Sequence, residues 1–83
     1  MDLLGRQDAA TLAPDAVVRA PVRIGPRARI GAGAVIGPDV VIGHDAEVAP
    51  GASLRECVVW DGARAQGNLR RAIVTPVAVH QLP

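Results

Sequence analysis

The stretch RIGAGAVIGPDVVIGHDAEVAPGASL, residues 29–54, places an aliphatic residue at every sixth position. The same spacing holds without a break from Val18 to Leu54. A second small apolar residue precedes each aliphatic one by two positions, at Ala16, Val22, Ala28, Ala34, Val40, Ala46 and Ala52. Side chains two positions apart share one face of an extended strand. Each unit therefore predicts a very short strand with two inward side chains.

Glycine or alanine follows most of these aliphatic residues, and proline often comes next, as in Gly37-Pro38 and Ala49-Pro50. Glycine permits tight backbone geometry and proline fixes one dihedral angle, so these pairs predict corners. A spacing of six does not form a stripe on an α-helix, whose period is much shorter. The pattern therefore predicts an all-β solenoid, in which each strand pairs with its equivalents in the adjacent coils.

Composition narrows the function classes. The 83 residues contain one Trp, no Phe and no Tyr, so the core must be narrow. A net charge of +1 predicts neither a nucleic acid nor an anionic membrane as partner. The start lacks the pattern of a signal peptide, and no apolar stretch approaches membrane-spanning length. A single cysteine, Cys57, fits a reducing compartment, so we expect a cytoplasmic protein.

The six-residue pattern closely resembles the hexapeptide repeat of left-handed parallel β-helices. The resemblance implies that three strands, and hence three repeats, complete one coil, with about four coils over residues 14–79. Residues 1–13 are then an N-terminal cap or the remnant of a preceding catalytic-domain helix, and residues 80–83 a tail. Counting three repeats along the chain predicts that Ile24 stacks on Ile42, Arg27 on Asp45 and Arg29 on Glu47.

After Leu54 the period breaks, and LRECVVWDGARA (54–65) parallels LRRAIVTPVAV (69–79). A hexapeptide run followed by these segments resembles the C-terminal domain of sugar-1-phosphate nucleotidyltransferases, especially the mannose-1-phosphate guanylyltransferase-like group. The resemblance implies a scaffold, oligomerisation or regulatory domain of an enzyme that forms a nucleotide sugar. It also implies an N-terminal catalytic domain as partner, and the open ends of a solenoid predict a homo-oligomer. No catalytic residue and no cofactor are then expected in this chain, and we expect no enzymatic activity of the chain in isolation.

An alternative is a small trimeric protein similar to hexapeptide acyltransferases, with His44 as general base. His44 follows Gly43 at a corner, where an exposed structural histidine is the competing interpretation. The sequence predicts no acid or base beside His44, because Asp45 should point toward Arg27. A dinucleotide-binding loop at residues 31–36 is excluded, because Ile36 replaces the third glycine and no helix follows.

The remaining candidates lie after the break in the period. Trp60 is a candidate interface anchor or, alternatively, a cap over the last coils. Arg64, Arg70 and Arg71 are candidates for contact with a phosphorylated ligand or an acidic partner, or form a solvated face. Cys57 has the same position in its repeat as Ala72 has in the next one, and its thiol is predicted to be packed against its neighbours. No His, Cys, Asp or Glu cluster has the spacing of metal ligands.

Overall fold

The computed structural model describes residues 10–82, which form short strands and no helix. Each strand has two or three residues, because glycine, proline or a turn interrupts the chain after every pair of inward side chains. In chain order the strands are β1 (Thr11–Leu12), β2 (Val17–Val18), β3 (Val22–Ile24), β4 (Arg29–Ile30), β5 (Val35–Ile36), β6 (Val40–Ile42), β7 (Glu47–Val48), β8 (Ser53–Arg55), β9 (Val58–Val59), β10 (Arg64–Ala65), β11 (Asn68–Arg70), β12 (Ala72–Val74) and β13 (Val79–Gln81).

Successive strands enter three parallel sheets in turn. Sheet A has the order β1-β4-β7-β10, sheet B β2-β5-β8-β11, and sheet C β3-β6-β9-β12-β13. Three strands make one coil, so the chain winds through four coils of strands β1 to β12. This structure confirms the all-β solenoid predicted from the six-residue period and the β-helix that the resemblance implies.

The predicted coil of three repeats holds for the first part of the chain and then shortens. Arg29 pairs with Glu47 and Ile24 with Ile42, as predicted. Val41, however, pairs with Val58 where three full repeats would place Val59. The predicted matches between residues 54–65 and 69–79 are confirmed, including Leu54 with Leu69 and Val59 with Val74.

Two shortened corners explain the change in coil length. Between sheets B and C, the register leaves residues 37–39 between Ile36 and Val40 in the second coil, but only residues 55–56 between Leu54 and Cys57 in the third. Between sheets A and B, residues 49–52 separate β7 from β8, but only residues 66–67 separate β10 from β11. Both shortened corners lack the proline of the longer ones, and both leave the inward columns of buried side chains continuous.

The core is a column of small and aliphatic side chains along the solenoid axis. Its buried members are Ala28, Ile30, Ala34, Ile36, Val40, Ile42, Ala46, Val48, Ala52, Leu54, Cys57, Val59, Ala63, Ala65, Ala72 and Val74. Cys57 and Ala72 are both fully buried, so the prediction of a packed thiol is confirmed. The first coil is less covered: Val18 is 40% exposed, while Ile36, which stacks on it, is 0% exposed.

Strand pairing extends past both ends of the 14–79 range. Thr11 and Leu12 pair with Arg29 and Ile30, so β1 is already part of sheet A. At the other end, β13 reverses direction and pairs antiparallel with β12. The Leu82 N–H also donates a hydrogen bond to the Arg71 carbonyl oxygen, 2.8 Å away. The last strand therefore covers the free edge of sheet C, whereas β10 and β11 have no further partner among residues 10–82.

Candidate functional site

The three outer faces of the solenoid differ in chemistry. The outward column of sheet A is Thr11, Arg29, Glu47 and Arg64, in which opposite charges alternate. Sheet B carries polar and basic side chains in its later strands. The outward column of sheet C is apolar at its centre, with Val41, Val58 and Ile73 in register. Candidate sites therefore lie on the faces and corners, since no buried polar side chain lies in the core of the described residues.

His44 lies at the corner between sheets C and A, among side chains of three successive coils. Its Nε2 lies 2.9 Å from Asp61 Oδ2, and its Nδ1 lies 3.1 Å from Asp45 Oδ2. The His44 main-chain N–H donates to Asp61 Oδ1 at 3.0 Å. Asp45 accepts hydrogen bonds from Arg27 Nε at 3.0 Å and from Arg27 Nη2 at 3.1 Å. The expectation that no acidic group lies beside His44 was wrong.

This corner cluster, defined as Arg27, His44, Asp45 and Asp61, joins three coils, and Asp61 also lines a shallow cavity beside Trp60. Both ring nitrogens of His44 face carboxylates, so neither is directed at space where a substrate hydroxyl could bind. The arrangement can connect three coils by charged hydrogen bonds, with modest energies because the side chains are about half exposed. The Arg27 guanidinium, and after it the His44 ring, hold the pKa of Asp45 below its usual value of 3.8.

The lowered pKa of Asp45 predicts a pH dependence of stability. Stabilisation by the Asp45 carboxylate is present above the unfolded-state pKa of 3.8 and is lost as the pH falls through the lower folded-state pKa. We expect Asp45→Asn to lower the urea midpoint at about pH 6, and the difference from wild type to vanish by about pH 2.

Asp39→Asn is the matched control for this titration. Asp39 has nearly the same corner conformation, with φ 62° against 58° for Asp45, but its carboxylate has no ion pair within residues 10–82. The control should leave the urea midpoint within error of wild type across the same pH range. An Asp45→Asn deficit that persists at the acid end would refute the assignment to the carboxylate.

Trp60 lies on the outer surface directly after β9 and is 54% exposed. Its position is equivalent to that of Gly43 in the preceding coil, because Ile42 pairs with Val59. With Val41, Val58 and Pro76 it lines a shallow cavity of about 300 Å³. Trp60 thus adds an aromatic side chain to the apolar column of sheet C, and its role as an interface anchor stays a prediction.

The three arginines singled out from the sequence do not form one patch. Arg64 lies in β10 on sheet A, with Nη1 3.9 Å from Glu47 Oε2. Arg70 lies in β11 on sheet B, and Arg71 occupies the following corner with φ 54°. Sheet B instead brings Arg70 together with Arg55 and Arg19, which the sequence reasoning missed. The signal was present in the register, because Arg55 and Arg70 are equivalent residues of adjacent coils.

Residues 10–82 contain no group of three or more His, Cys, Asp or Glu side chains placed to hold a metal ion. Within the same part of the chain, no helix is long and apolar enough to cross a membrane.

Comparison with known proteins gives one match. The family model described as the GMPPB C-terminal domain, a domain of the mannose-1-phosphate guanylyltransferase beta subunit, matches residues 10–77. No curated protein and no solved structure matches the chain. The match covers nearly all of the solenoid, including the break at VVWDG (58–62), and it confirms the resemblance drawn from the sequence. Together with the β-solenoid fold, it shows that the chain belongs to the GMPPB C-terminal domain family and is a domain related to sugar-nucleotide nucleotidyltransferases.

Proposed function

We propose that this domain is a non-catalytic scaffold that brings together copies of a sugar-nucleotide-forming nucleotidyltransferase. The observation that carries the proposal is the apolar outer column of sheet C, formed by Val41, Val58 and Ile73. Val41 and Val58 are 43% and 38% exposed, and the column runs through three successive coils. Contiguous apolar surface of this kind marks contact sites in soluble proteins.

The contrast with sheet A supports the assignment. There the equivalent outward column is charged, and Glu47 lies 4.0 Å from Arg29 and 3.9 Å from Arg64. Such a column is suited to water, whereas the column of sheet C gains free energy when water is excluded from it. Trp60 extends the apolar surface toward the corner, and tryptophan is enriched at the centres of interfaces.

The partner that we propose for sheet C is a second copy of this chain. The apolar surface of sheet C is one short column of side chains on successive coils. Two copies of the chain, related by a two-fold axis, can pack these columns against each other. The open edges of β10 and β11 give a further route to association within the described part of the chain. We assign the condensation of sugar 1-phosphate with nucleoside triphosphate to a separate catalytic domain, as the family resemblance implies.

The environment of His44 supports a non-catalytic role, because carboxylates at both ring nitrogens leave neither one to accept a proton from a substrate. The buried Cys57 is a free thiol, which supports a reducing and hence cytoplasmic location.

Sedimentation velocity of the 83-residue chain at micromolar concentrations tests the proposal. We expect a species larger than the monomer, and its proportion should rise with concentration. A monodisperse monomer throughout that range would overturn the scaffold proposal for the isolated chain.

A further inference from the structure

The outer face of sheet B carries a cleft lined by three arginines from different coils. Arg19, Arg55 and Arg70 lie along one line of equivalent positions, and Gly37 occupies the fourth position between Arg19 and Arg55. Ser53 and Asn68 line the same cleft, which has a volume of about 410 Å³. This set is called the arginine cleft below.

Gly37 leaves a gap in the line of side chains. A Cβ atom at Gly37 would lie 2.8 Å from Val22 Cγ2 and would also collide with the Arg19 carbonyl oxygen. The backbone there has φ 103°, a conformation that favours glycine. The second coil therefore presents no side chain at this position, and the space between Arg19 and Arg55 stays open.

The charges in the cleft are not compensated within the described residues. No carboxylate of residues 10–82 forms an ion pair with Arg19, Arg55 or Arg70, and their guanidinium groups donate no hydrogen bond within that range. Arg55 and Arg70 stand directly opposite each other on adjacent parallel strands. Like charges in that arrangement repel.

Sheet A shows how the same solenoid arranges arginines when they pair internally. Its outward column alternates Arg29, Glu47 and Arg64, so each arginine has a carboxylate in the neighbouring coil. The arginine cleft departs from this pattern while also providing a hydroxyl and an amide side chain at its wall. A bound anion would supply the missing negative charge, and guanidinium groups bind phosphate oxygens by paired hydrogen bonds.

The spacing of the arginines indicates the kind of anion. Adjacent coils lie about 4.8 Å apart, so one phosphate group can contact Arg55 and Arg70 together. Arg19 lies two coils from Arg55, about 9.6 Å away along the axis, so its long side chain would extend across the open space at Gly37 to contact a second phosphoryl group bonded to the first. We propose that the arginine cleft binds a small molecule that carries a diphosphate group. This inference goes beyond the scaffold role and does not depend on it.

The test is an NMR titration of the full ¹⁵N-labelled chain with inorganic pyrophosphate, followed through the arginine side-chain Nε–Hε signals. We expect saturable shifts at Arg19, Arg55 and Arg70, and binding at least about tenfold tighter than that of orthophosphate at the same ionic strength. The double variant Arg55→Gln/Arg70→Gln should weaken pyrophosphate binding by at least about tenfold.

Arg29→Gln/Arg64→Gln is the matched control, since it removes the same charge from the internally paired arginines of sheet A. It should bind pyrophosphate within about threefold of wild type. Equal losses in both double variants would show general charge attraction and overturn the proposal. Equal affinity for orthophosphate, tighter binding of a glutamate-rich decapeptide, or the absence of saturable shifts would overturn it as well.

Discussion

Ile42→Ala should lower the free energy of unfolding by about 2–5 kcal/mol, whereas Val41→Ala, one residue earlier, should lower it by less than about 1 kcal/mol. The two residues are neighbours in β6 but face opposite sides of sheet C. Ile42 is 1% exposed and stacks between Ile24 and Val59 in the core column. The coils on both sides are tied by parallel strand pairing, so the structure cannot collapse freely around the cavity left by alanine.

Urea denaturation followed by circular dichroism measures both changes. Val41 provides the matched control, because it lies directly beside Ile42 in the same strand. If Val41→Ala proved as destabilising as Ile42→Ala, the inward and outward assignment of sheet C would be wrong. A one-residue slip of register would produce that result, because it exchanges the two faces of a strand.

Gly43→Ala should destabilise the domain by about 1–3 kcal/mol or more, because two coils approach each other at this corner. A Cβ atom at Gly43 would lie 2.6 Å from the Asp61 backbone nitrogen and 2.9 Å from Asp61 Cα. Backbone atoms cannot move aside without shifting the third coil. That shift would also lengthen the hydrogen bond from the His44 N–H to Asp61 Oδ1.

Gly51→Ala separates this steric effect from backbone strain. Gly51 also lies at a corner, with φ 75°, but no atom is within 4 Å of its added Cβ. Its substitution should therefore cost only the left-handed conformation, about 1 kcal/mol. Thermal unfolding should rank Gly43→Ala as the less stable variant. In a separate NMR measurement, the imidazole signals of His44 should change in Gly43→Ala, because its contacts with Asp61 are lost. The reverse ranking would contradict the close approach of the second and third coils.

The fold was predictable from the sequence because aliphatic residues repeat at one constant spacing. The hydrophobic columns from Val18 to Leu54 need only an extended backbone and a corner in every repeat, and both follow from local chemistry. The pairings of Arg27 with Asp45 and of Arg29 with Glu47 followed from counting three repeats along the chain. The corner lengths after Leu54 were harder to predict, because corners of different length can connect the same two strands of a coil.

The contacts of His44 could not be predicted because they depend on one deleted residue. A strict continuation of the repeat places Gly62 beside His44, whereas the shortened corner at Arg55-Glu56 moves Asp61 into that position. The arginine cleft, in contrast, could have been found from the sequence. The match of Leu54 with Leu69 already places Arg55 beside Arg70.

The two shortened corners determine the arrangement of charge on the outer faces of sheets A and B. Sheet A keeps alternating signs after the first shortened corner, so Arg64 still meets Glu47. Sheet B follows the second shortened corner as well, and this brings Arg55 and Arg70 into direct register. A change of corner length therefore alters the chemistry of a whole outer face without disturbing the core column.

We propose that the apolar column of sheet C joins copies of the chain, and a charge placed in this column tests the proposal. Val41→Glu places a charge at the centre of that column, and Val17→Glu is the matched control on sheet B, since the two valines are 43% and 41% exposed. Sedimentation velocity should find Val41→Glu monomeric at concentrations where wild type and Val17→Glu associate, because burying an unpaired carboxylate is unfavourable. Association of Val41→Glu as strong as that of wild type would contradict an interface on sheet C.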